Sequence, residues 1–472
     1  MALASVILAA GQGTRMKSER AKVLHELSGE PMVHHPIRLA RSVGADPVVL
    51  VIGHQAEQVQ KTVEPAFPGL RFGLQSEQKG TGHAVMQALP ALEGFHGRVL
   101  ILYGDVPLLR AETLKALGGV LDETKGPLAL ITTRLSQPKG YGRIVRDEAH
   151  HFLKIVEEKD ASPEIRQITE VNAGIYSVDS EFLRSALSRL KNDNAQKEYY
   201  LTDLVAIAKA DGHSVGTLLV DDPTEVKGAN TQAELAELAA TLRRRINLGH
   251  LERGVTMIDP ERTYVGTEVE IGADTVIQPN VHLGGRTKIG RGCTLDTGVV
   301  IQNGILGDRV TVRPYTVIED AQADRGAILG PFARLRPGAV VMDEAHVGNF
   351  VELKKTRLGK GAKANHLAYL GDAEIGAGTN VGAGTITCNY DGYGKYLTEI
   401  GEGVFIGSNS TLVAPVQIGD QAYVAAGSVI TDQVAEADLA FGRARQVNKS
   451  GRAKALRAEA MEKAKAAKGK KG

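Results

Sequence analysis

Val265, Ile271, Ile277, Leu283, Ile289, Leu295 and Ile301 follow one another at steps of six residues without a slip. After a short break the phase resumes at Leu306, Val312 and Ile318. It continues through Leu329, Leu335, Val341, Val347 and Leu353, then Leu358, Ala364 and Leu370, then Ile375 and Val381. An insertion over 385–399 interrupts it, and Ile400, Ile406, Leu412, Ile418, Val424 and Ile430 close the run. Gly often stands beside the aliphatic, as in Ile271-Gly272, Ile289-Gly290 and Ile406-Gly407. Neither the helical period of 3.6 nor the strand period of 2 produces a step of six. So short a repeat, kept so long, predicts a solenoid, and its hexapeptide form is a parallel β-helix. Each hexad is then one side of a triangular coil, with the aliphatic pointing into a narrow prism and the small residue easing the corner. Such a prism has little room for rings, in keeping with a chain that has no Trp and 4% aromatic residues.

The whole chain has 472 residues, too many for one ordinary core, so two or three domains are expected. Its charge is nearly balanced, 56 Lys+Arg against 55 Asp+Glu, which argues against nucleic acid as the main partner. Cys293 and Cys388 are too few for a disulfide framework and fit a reducing compartment. No apolar run is long enough to span a bilayer. The apolar opening 2–10 lacks a basic leader and runs into a Gly-rich loop, so it reads as a first strand rather than a signal peptide. A cytoplasmic protein without membrane insertion is the expectation.

In the N-terminal half, Ser5-Val6-Ile7-Leu8 reads as a buried strand that feeds Ala9-Ala10-Gly11-Gln12-Gly13-Thr14-Arg15-Met16. A Gly-rich turn between strand and helix offers backbone N–H groups to phosphate, with help from the helix dipole. Arg15 and Lys22 add two cations, which suits a nucleoside triphosphate better than a dinucleotide. The third Gly of the dinucleotide fingerprint and the Gly-Lys-Ser/Thr of a Walker loop are both absent. A plain tight turn is the competing reading. Segments 47–54 and 98–105 read as further strands, with helices over 31–43 and 83–92 between strands. This is a doubly wound α/β pattern, in which ligands gather at the carboxyl ends of strands. Asp105 stands at such an end, where a carboxylate beside a phosphate loop is a natural Mg²⁺ ligand; the alternative is a surface Asp before the Val106-Pro107 turn. A helix over 231–251 carries Leu235, Leu238, Leu242 and Ile246 on one face and Glu234, Glu237, Arg243, Arg244 and Arg245 on the other. It reads as a strut whose charges are solvated.

Leu8 to Met16 together with Lys22 resemble the signature of sugar-nucleotide pyrophosphorylases. Tyr103-Gly104-Asp105, with Gln75 and Gly80-Thr81-Gly82-His83, resemble the uridylyltransferase members. Coupled to the hexapeptide half, the chain resembles, over nearly its full length, the bacterial bifunctional N-acetylglucosamine-1-phosphate uridylyltransferase/glucosamine-1-phosphate N-acetyltransferases. Ala21 departs from the pattern, standing where that family commonly has Pro. The resemblance implies an α/β plus all-β chain. A Rossmann-like nucleotidyltransferase domain would span 1–227, a helical linker 228–261 and a left-handed parallel β-helix 262–450. A basic tail, frayed helix or disordered, would span 451–472. It further implies that Leu8, Ala9, Ala10, Gly11, Gln75, Gly80, Thr81, Tyr103 and Gly104 line the UTP site, and that Arg15 and Lys22 neutralise phosphates. Gly142, Glu157 and Asn172 would hold N-acetylglucosamine, and Asp105 and Asn230 would bind Mg²⁺. An ionised sugar-phosphate oxygen attacks the α-phosphorus of UTP in such chemistry, so no acid–base residue is assigned to this half.

Not all hexads look structural. Segments 332–338 and 351–355 place cations on successive coils, His366, Tyr369 and Asn380 follow, and the insertion contains Cys388-Asn389-Tyr390-Asp391-Gly392. Cations, a His, a Tyr and an Asn at one level suggest a site for a phosphorylated, hydroxyl-rich ligand. By the family resemblance, Arg336 and Lys354 grip the phosphate of glucosamine-1-phosphate and Tyr369 and Asn380 contact its sugar. His366 is the general base for the 2-amino group as it attacks acetyl-CoA, and Glu352 steadies the developing charge. Ala383, Asn389, Tyr390, Ser408, Ala426 and Arg443 line the acetyl-CoA groove. Cys388 has no His or Asp arranged for it in sequence and reads as a loop residue. Fold analogy implies a homotrimer. Three other readings compete. A single-activity sugar-1-phosphate nucleotidyltransferase with a structural or regulatory β-helix would have a short prism without His366 and Asn389-Tyr390. A regulatory exchange-factor subunit would lack Arg15, Lys22 and Asp105. A zinc hydratase needs closely spaced His residues, and His282, His346 and His366 supply no such pair.

Overall fold

Leu3–Leu8 is apolar but for Ser5, and in the computed structural model, which describes residues 2–469, it is an interior strand of a nine-stranded sheet. It pairs in parallel with Val48–Ile52 on one side and Arg98–Tyr103 on the other. Continuous apolar strands of this kind mark a sheet covered on both faces. Ile7, Leu50 and Leu102 pack into one layer, and Val6, Val49 and Ile101 into the other. The sheet runs in the order Val215–Val220, Leu128–Arg134, Glu170–Asp179, Arg98–Tyr103, Leu3–Leu8, Val48–Ile52, Arg71–Leu74. One strand breaks the parallel pattern. Glu170–Asp179 lies antiparallel to both neighbours, and the hairpin of Arg143–Arg146 and Phe152–Val156 extends from it.

The Gly-rich loop does not lead into an α-helix. Thr14–Met16 and Lys22–Leu24 are single 3-10 turns, and the first α-helix is His34–Ser42. Gly13 (φ 64°) and Lys17 (φ 49°) bracket the first turn in the left-handed region, which stops helix propagation. The expected helix dipole is therefore missing, and phosphate affinity here rests on backbone N–H groups and side-chain cations.

The long helix is Gln232–Glu252. Leu235 and Leu238 pack against Met16, Leu27, Met32 and Leu108, with Leu242 at the edge. Farther along, Asn247 and His250 are buried rather than Ile246. The Asn247 amide donates to the carbonyls of Pro260 and Thr263 at 2.7 and 2.9 Å. The charged face also differs from a solvated strut. Arg245 donates to the Leu108 carbonyl at 2.7 Å and to Asp222 at 3.0 Å. Glu234 accepts the backbone N–H groups of Asn230 and Thr231 at 2.7 and 3.1 Å, capping the helix start. Helix and sheet belong to one compact unit, Met1–Glu252 with Pro260–Thr267.

The second unit, Arg253–Asp259 with Glu268–Gly472, is a parallel β-helix. On its first face Ile277, Leu295, Val312, Leu329, Val347, Ala364 and Val381 stack coil on coil. Leu283, Ile301, Ile318, Leu335, Leu353 and Leu370 stack on the second. Ile271, Ile289, Leu306, Ala323, Val341, Leu358 and Ile375 stack on the third. The step from third face to first, and from first to second, is six residues throughout. Only the corner from second face to third varies: Ile301 to Leu306 and Leu353 to Leu358 are steps of five, while Leu335 to Val341 is six. The break read after Ile301 is one of these five-residue corners.

Two inward positions lie outside the aliphatic pattern. Ala323 and Thr387 both point into the prism, at 0% and 1% exposure. The Thr387 hydroxyl accepts the Gly371 N–H at 2.8 Å and donates to the Gly371 carbonyl at 3.0 Å, so its polarity is satisfied inside. The insertion is shorter than 385–399, because Ile386–Cys388 and Thr398–Ile400 are strands and only 389–397 loops out. At Gly272, Gly290, Gly307, Gly359 and Gly376 a Cβ would come within 2.3 to 2.8 Å of the next coil, so Gly is what lets successive corners stack. Parallel pairing begins at Thr256–Met257, against Val276–Ile277. The basic tail forms a helix, Arg452–Gly469, whose side chains through 467 are exposed; 470–472 lie outside the described residues. No helix among the described residues is long and apolar enough to cross a membrane.

Candidate active sites

The register Leu8↔Tyr103 brings two strand ends side by side, and the Gly104 N–H donates to the Leu8 carbonyl at 2.9 Å. Only Gly fits comfortably here, since a Cβ on Gly104 would meet the Ala9 side chain at 3.1 Å. The loops that follow border a cavity of about 340 Å³ lined by Leu8, Ala9, Ala10, Gly11, Lys22, Gln75, Gly80, Thr81, Tyr103 and Asp105. A second cavity of about 400 Å³ shares Thr81, Tyr103 and Asp105 and adds Arg15, Gly142, Glu157, Asn172 and Asn230. Every residue given a ligand or metal role in the N-terminal half thus lines one of the two, Gly104 excepted.

In the second cavity the polar groups are held in place. The Asn172 amide donates to the Tyr176 hydroxyl at 2.7 Å and accepts the Gly174 N–H at 3.0 Å. Burial raises the pKa of Glu157, while the Thr202 hydroxyl, donating to its Oε1 at 2.9 Å, pulls the other way. Thr202, Tyr200 and Tyr141 line this cavity, and Gln78 lines the first, its amide on the Ala10 carbonyl at 2.7 Å. None of these four stood out in the sequence, because no spacing or motif marks them.

Asp105 and Asn230 converge on one cation. The Lys22 ammonium donates to Asp105 Oδ2 and, at 3.1 Å, to Asn230 Oδ1, which also accepts from Arg15 at 2.9 Å. A carboxylate and an amide oxygen that already share a positive group are a fitting partial set for Mg²⁺, which takes one or two protein oxygens and completes its shell with water and substrate phosphate.

In the β-helix the site is built by register. Asn349, His366, Ala383, Ser408 and Ala426 stand at the corner between first and second faces, one per coil. Backbone bonds tie each to the next: Leu367 N to Asn349 O, Gly384 N to His366 O, Asn409 N to Ala383 O and Gly427 N to Ser408 O. His366 is exposed, and its Nδ1 lies 2.7 Å from Asn349 Oδ1. With the Asn349 oxygen facing the ring, Nδ1 carries the hydrogen and Nε2 keeps the lone pair. Asn349 was not singled out in the sequence, although it lies one coil before His366.

Across the second face, Tyr369 stacks over Glu352, and Glu352 accepts from Arg336 at 2.8 Å. Lys354 follows Leu353 on the same coil as Glu352. Lys395, from the insertion, stands beside Lys354 and, ahead of Arg336, lowers its pKa. Lys395 is a third cation that the sequence reading missed. A Cβ on Gly371 would meet the Tyr369 hydroxyl at 2.5 Å and the Asn389 amide at 2.9 Å, so Gly371 makes room for both. Asn389 donates to Asp372, and the Tyr390 hydroxyl to the Gly392 carbonyl at 2.6 Å. Asn380 is not on the face of Tyr369; it stacks on the first face between Lys363 and Phe405. Arg443 lies one coil beyond Ala426, near Gly427. Cys388 is a free, half-buried thiol.

Residues 5–189 match the MobA-like NTP transferase domain, and 268–303 and 397–432 match the bacterial transferase hexapeptide (six repeats). Over 463 residues the chain is 56% identical to the bifunctional protein GlmU of Anaeromyxobacter sp. (strain Fw109-5), covering 98% of this chain and 94% of that one. The chain belongs to the GlmU family. The GlmU proteins of Trichlorobacter lovleyi, at 51% identity over 448 residues, and Pelobacter propionicus, at 49% over 449, are alike along 95% of this chain and 97% of each relative. As a GlmU-family chain it is a bifunctional transferase, both UDP-N-acetylglucosamine diphosphorylase and glucosamine-1-phosphate N-acetyltransferase. Its co-substrates are UTP and acetyl-CoA, and its product is a precursor of peptidoglycan. The single-activity, regulatory and hydratase readings fall away, because the GlmU likeness runs through both halves.

Proposed function

We propose that acetyl transfer takes place at the corner that carries His366, with uridylyl transfer following at the two cavities of the α/β unit. The observation that carries the first assignment is the column Asn349, His366, Ala383, Ser408 and Ala426. Beyond the base, small residues leave a trough, roughly 14 Å from His366 to Ala426 at about 4.8 Å per coil. A thin, extended thioester arm of acetyl-CoA suits such a trough, with Asn389 and Tyr390 at its side and Arg443 at its far end. Arg336, Lys354 and Lys395 hold the sugar phosphate and Tyr369 contacts the sugar; Asn380, which lies on the first face, would contact it from a neighbouring copy of the chain. The 2-amino nitrogen attacks the thioester carbonyl, His366 Nε2 takes a proton from that nitrogen, and the coenzyme leaves as its thiolate. Glu352, held by Arg336, steadies the charge that develops.

In the α/β unit, the N-acetylglucosamine-1-phosphate oxygen attacks the α-phosphorus of UTP and pyrophosphate departs. Leu8 to Gly11, Gln75, Gly80, Thr81, Tyr103 and Gly104 surround the nucleoside, and Gly142, Glu157 and Asn172 hold the sugar. Arg15 and Lys22 offset phosphate charge and align the reacting groups. Asp105 and Asn230 would hold Mg²⁺, which when bound neutralises triphosphate oxygens. The uridylyltransferase domain 1–227 takes Asn230 and the helix of the linker 228–261 into its own compact unit, and the acetyltransferase domain 262–450 is followed by the tail 451–472. Two cysteines without a disulfide fit the cytoplasm. A homotrimer built on the prism is supported by an exposed ladder at the His366 corner. There Tyr315, Phe332 and Phe350 stack at 5.3 and 5.4 Å with Leu367 next in line, an apolar strip that a partner copy would cover.

The test is thiol release from acetyl-CoA in the presence of glucosamine-1-phosphate, comparing the native chain with His366→Ala. Sugar-phosphate-dependent release that collapses in the variant, with UTP-dependent pyrophosphate release intact, is the expected result. Unchanged thiol release would move the base elsewhere.

A further inference from the structure

Gln75 sits at the end of the strand Arg71–Leu74, 5% exposed, in the wall of the nucleotide cavity. Its amide nitrogen is doubly engaged. Nε2 lies 3.1 Å from the Gly80 carbonyl and 3.1 Å from His83 Nδ1. A carbonyl only accepts, so the nitrogen end is fixed, and both of its hydrogens have partners. His83 Nδ1 is then an acceptor, and the ring hydrogen sits on Nε2. Nε2 lies 3.2 Å from the Gln87 side-chain amide nitrogen, which also lies 3.5 Å from the His83 carbonyl; that contact is long and weak, so the ring hydrogen prevails and the amide turns its oxygen to the ring. The relay Gln87, His83, Gln75 leaves Gln75 Oε1 as the amide's one free atom, and no donor among the described residues reaches it.

We infer that His83 is a specificity-determining positioning residue. By holding the Gln75 nitrogen away from the nucleotide it makes Gln75 an acceptor, which selects a pyrimidine bearing N3–H. Uracil has that hydrogen. Cytosine presents a bare N3 lone pair there, which the Gln75 oxygen repels. This rests on the proposed placement of the uracil edge against Gln75. Without His83 the amide keeps only its bond to Gly80, and turning over to donate to cytosine N3 becomes far easier. A site that pairs a buried polar atom discriminates steeply, because the wrong partner leaves that atom unmatched.

The experiment uses the full chain and measures kcat/KM for UTP and for CTP with N-acetylglucosamine-1-phosphate. His83→Phe should lower the preference for UTP over CTP by about tenfold or more. His83→Asn, which restores an accepting oxygen near Nδ1, should recover most of it. Gln87→Leu should move the ratio the same way by less, and it decides the matter if His83→Phe does not fold, as judged by circular dichroism and thermal melting. Equal proportional loss with both nucleotides in His83→Phe, or an unmoved ratio in Gln87→Leu where that variant decides, overturns the relay. Gln75→Ala separates the two ideas. If it collapses the ratio while the His83 variants do not, only the relay fails; if it too leaves the ratio unmoved, the placement of the base is wrong.

Discussion

In the α/β unit, Asp105 and Asn230 meet although one ends a strand and the other precedes a helix more than a hundred residues later. In the β-helix, Asn349 and His366 meet because they are one coil apart. The first kind of site is assembled from loops whose paths depend on the whole sheet. The second is written along the chain, since stacking turns a sequence interval into a neighbour. Side chains in the first can be pinned from several directions, as Asn172 is by Tyr176 and Gly174. Those in the second lean on the coil before and the coil after.

Variants can break or sharpen this contrast. The widest separation should come from His366→Ala and Asp105→Asn. The former should cut acetyl transfer by at least about a hundredfold and spare pyrophosphate release from UTP. The latter should do the reverse, by about a hundredfold or more. Parallel assays on one preparation check both, and loss of both activities in either variant would mean that the units are not chemically independent. Next in size, Asn349→Ala should lower kcat for acetyl transfer about tenfold with KM for the sugar phosphate nearly constant, because the ring loses its orientation rather than its substrate. Steady-state kinetics showing a KM effect alone would place Asn349 on the substrate instead.

A smaller effect concerns pH. Lys395, followed by Arg336, lowers the pKa of Lys354, so Lys354 sheds its proton at a lower pH than an ordinary lysine. kcat/KM for glucosamine-1-phosphate should then fall on the alkaline side as that proton is lost. In Lys395→Ala the fall should move to higher pH, whatever the overall drop from losing a cation. A pH profile whose alkaline limb stays put would assign that limb to another group. Smallest of all, Thr387→Val should leave both activities near normal and cost about 1–3 kcal/mol, because the Gly371 N–H loses its buried acceptor. Thermal melts followed by acetyl transfer check it.

The contrast also decides what could be read from sequence. Hexads announced the prism because Ile, Leu and Val recur wherever the interior is narrow. Ala323 and Thr387 escaped because one is small and the other satisfies its hydroxyl on the backbone of the coil before it. Asn349 was legible in principle, since 17 residues before a proposed base is the residue beneath it; what no hexad count supplies is the coil length, 17 residues in some coils and 18 in others. Thr202 and Tyr200 were not legible. They reach the second cavity on a segment without periodicity, and only folding sets them beside Glu157. The helix dipole expected after the Gly-rich loop failed for a local reason, the left-handed backbone at Gly13 and Lys17.

The corner between second and third faces has a consequence for how such chains change over time. It is where five residues stand in for six, and where the loop 389–397 is spliced in between Thr387 and Ile400. A lost or added codon at this edge is absorbed locally, and the inward phase of every later coil survives. The same slip at either of the other two corners would turn core residues outward. Length can therefore be added or removed along this one edge of the chain, and the loop that brings Lys395 beside Lys354 grows from it.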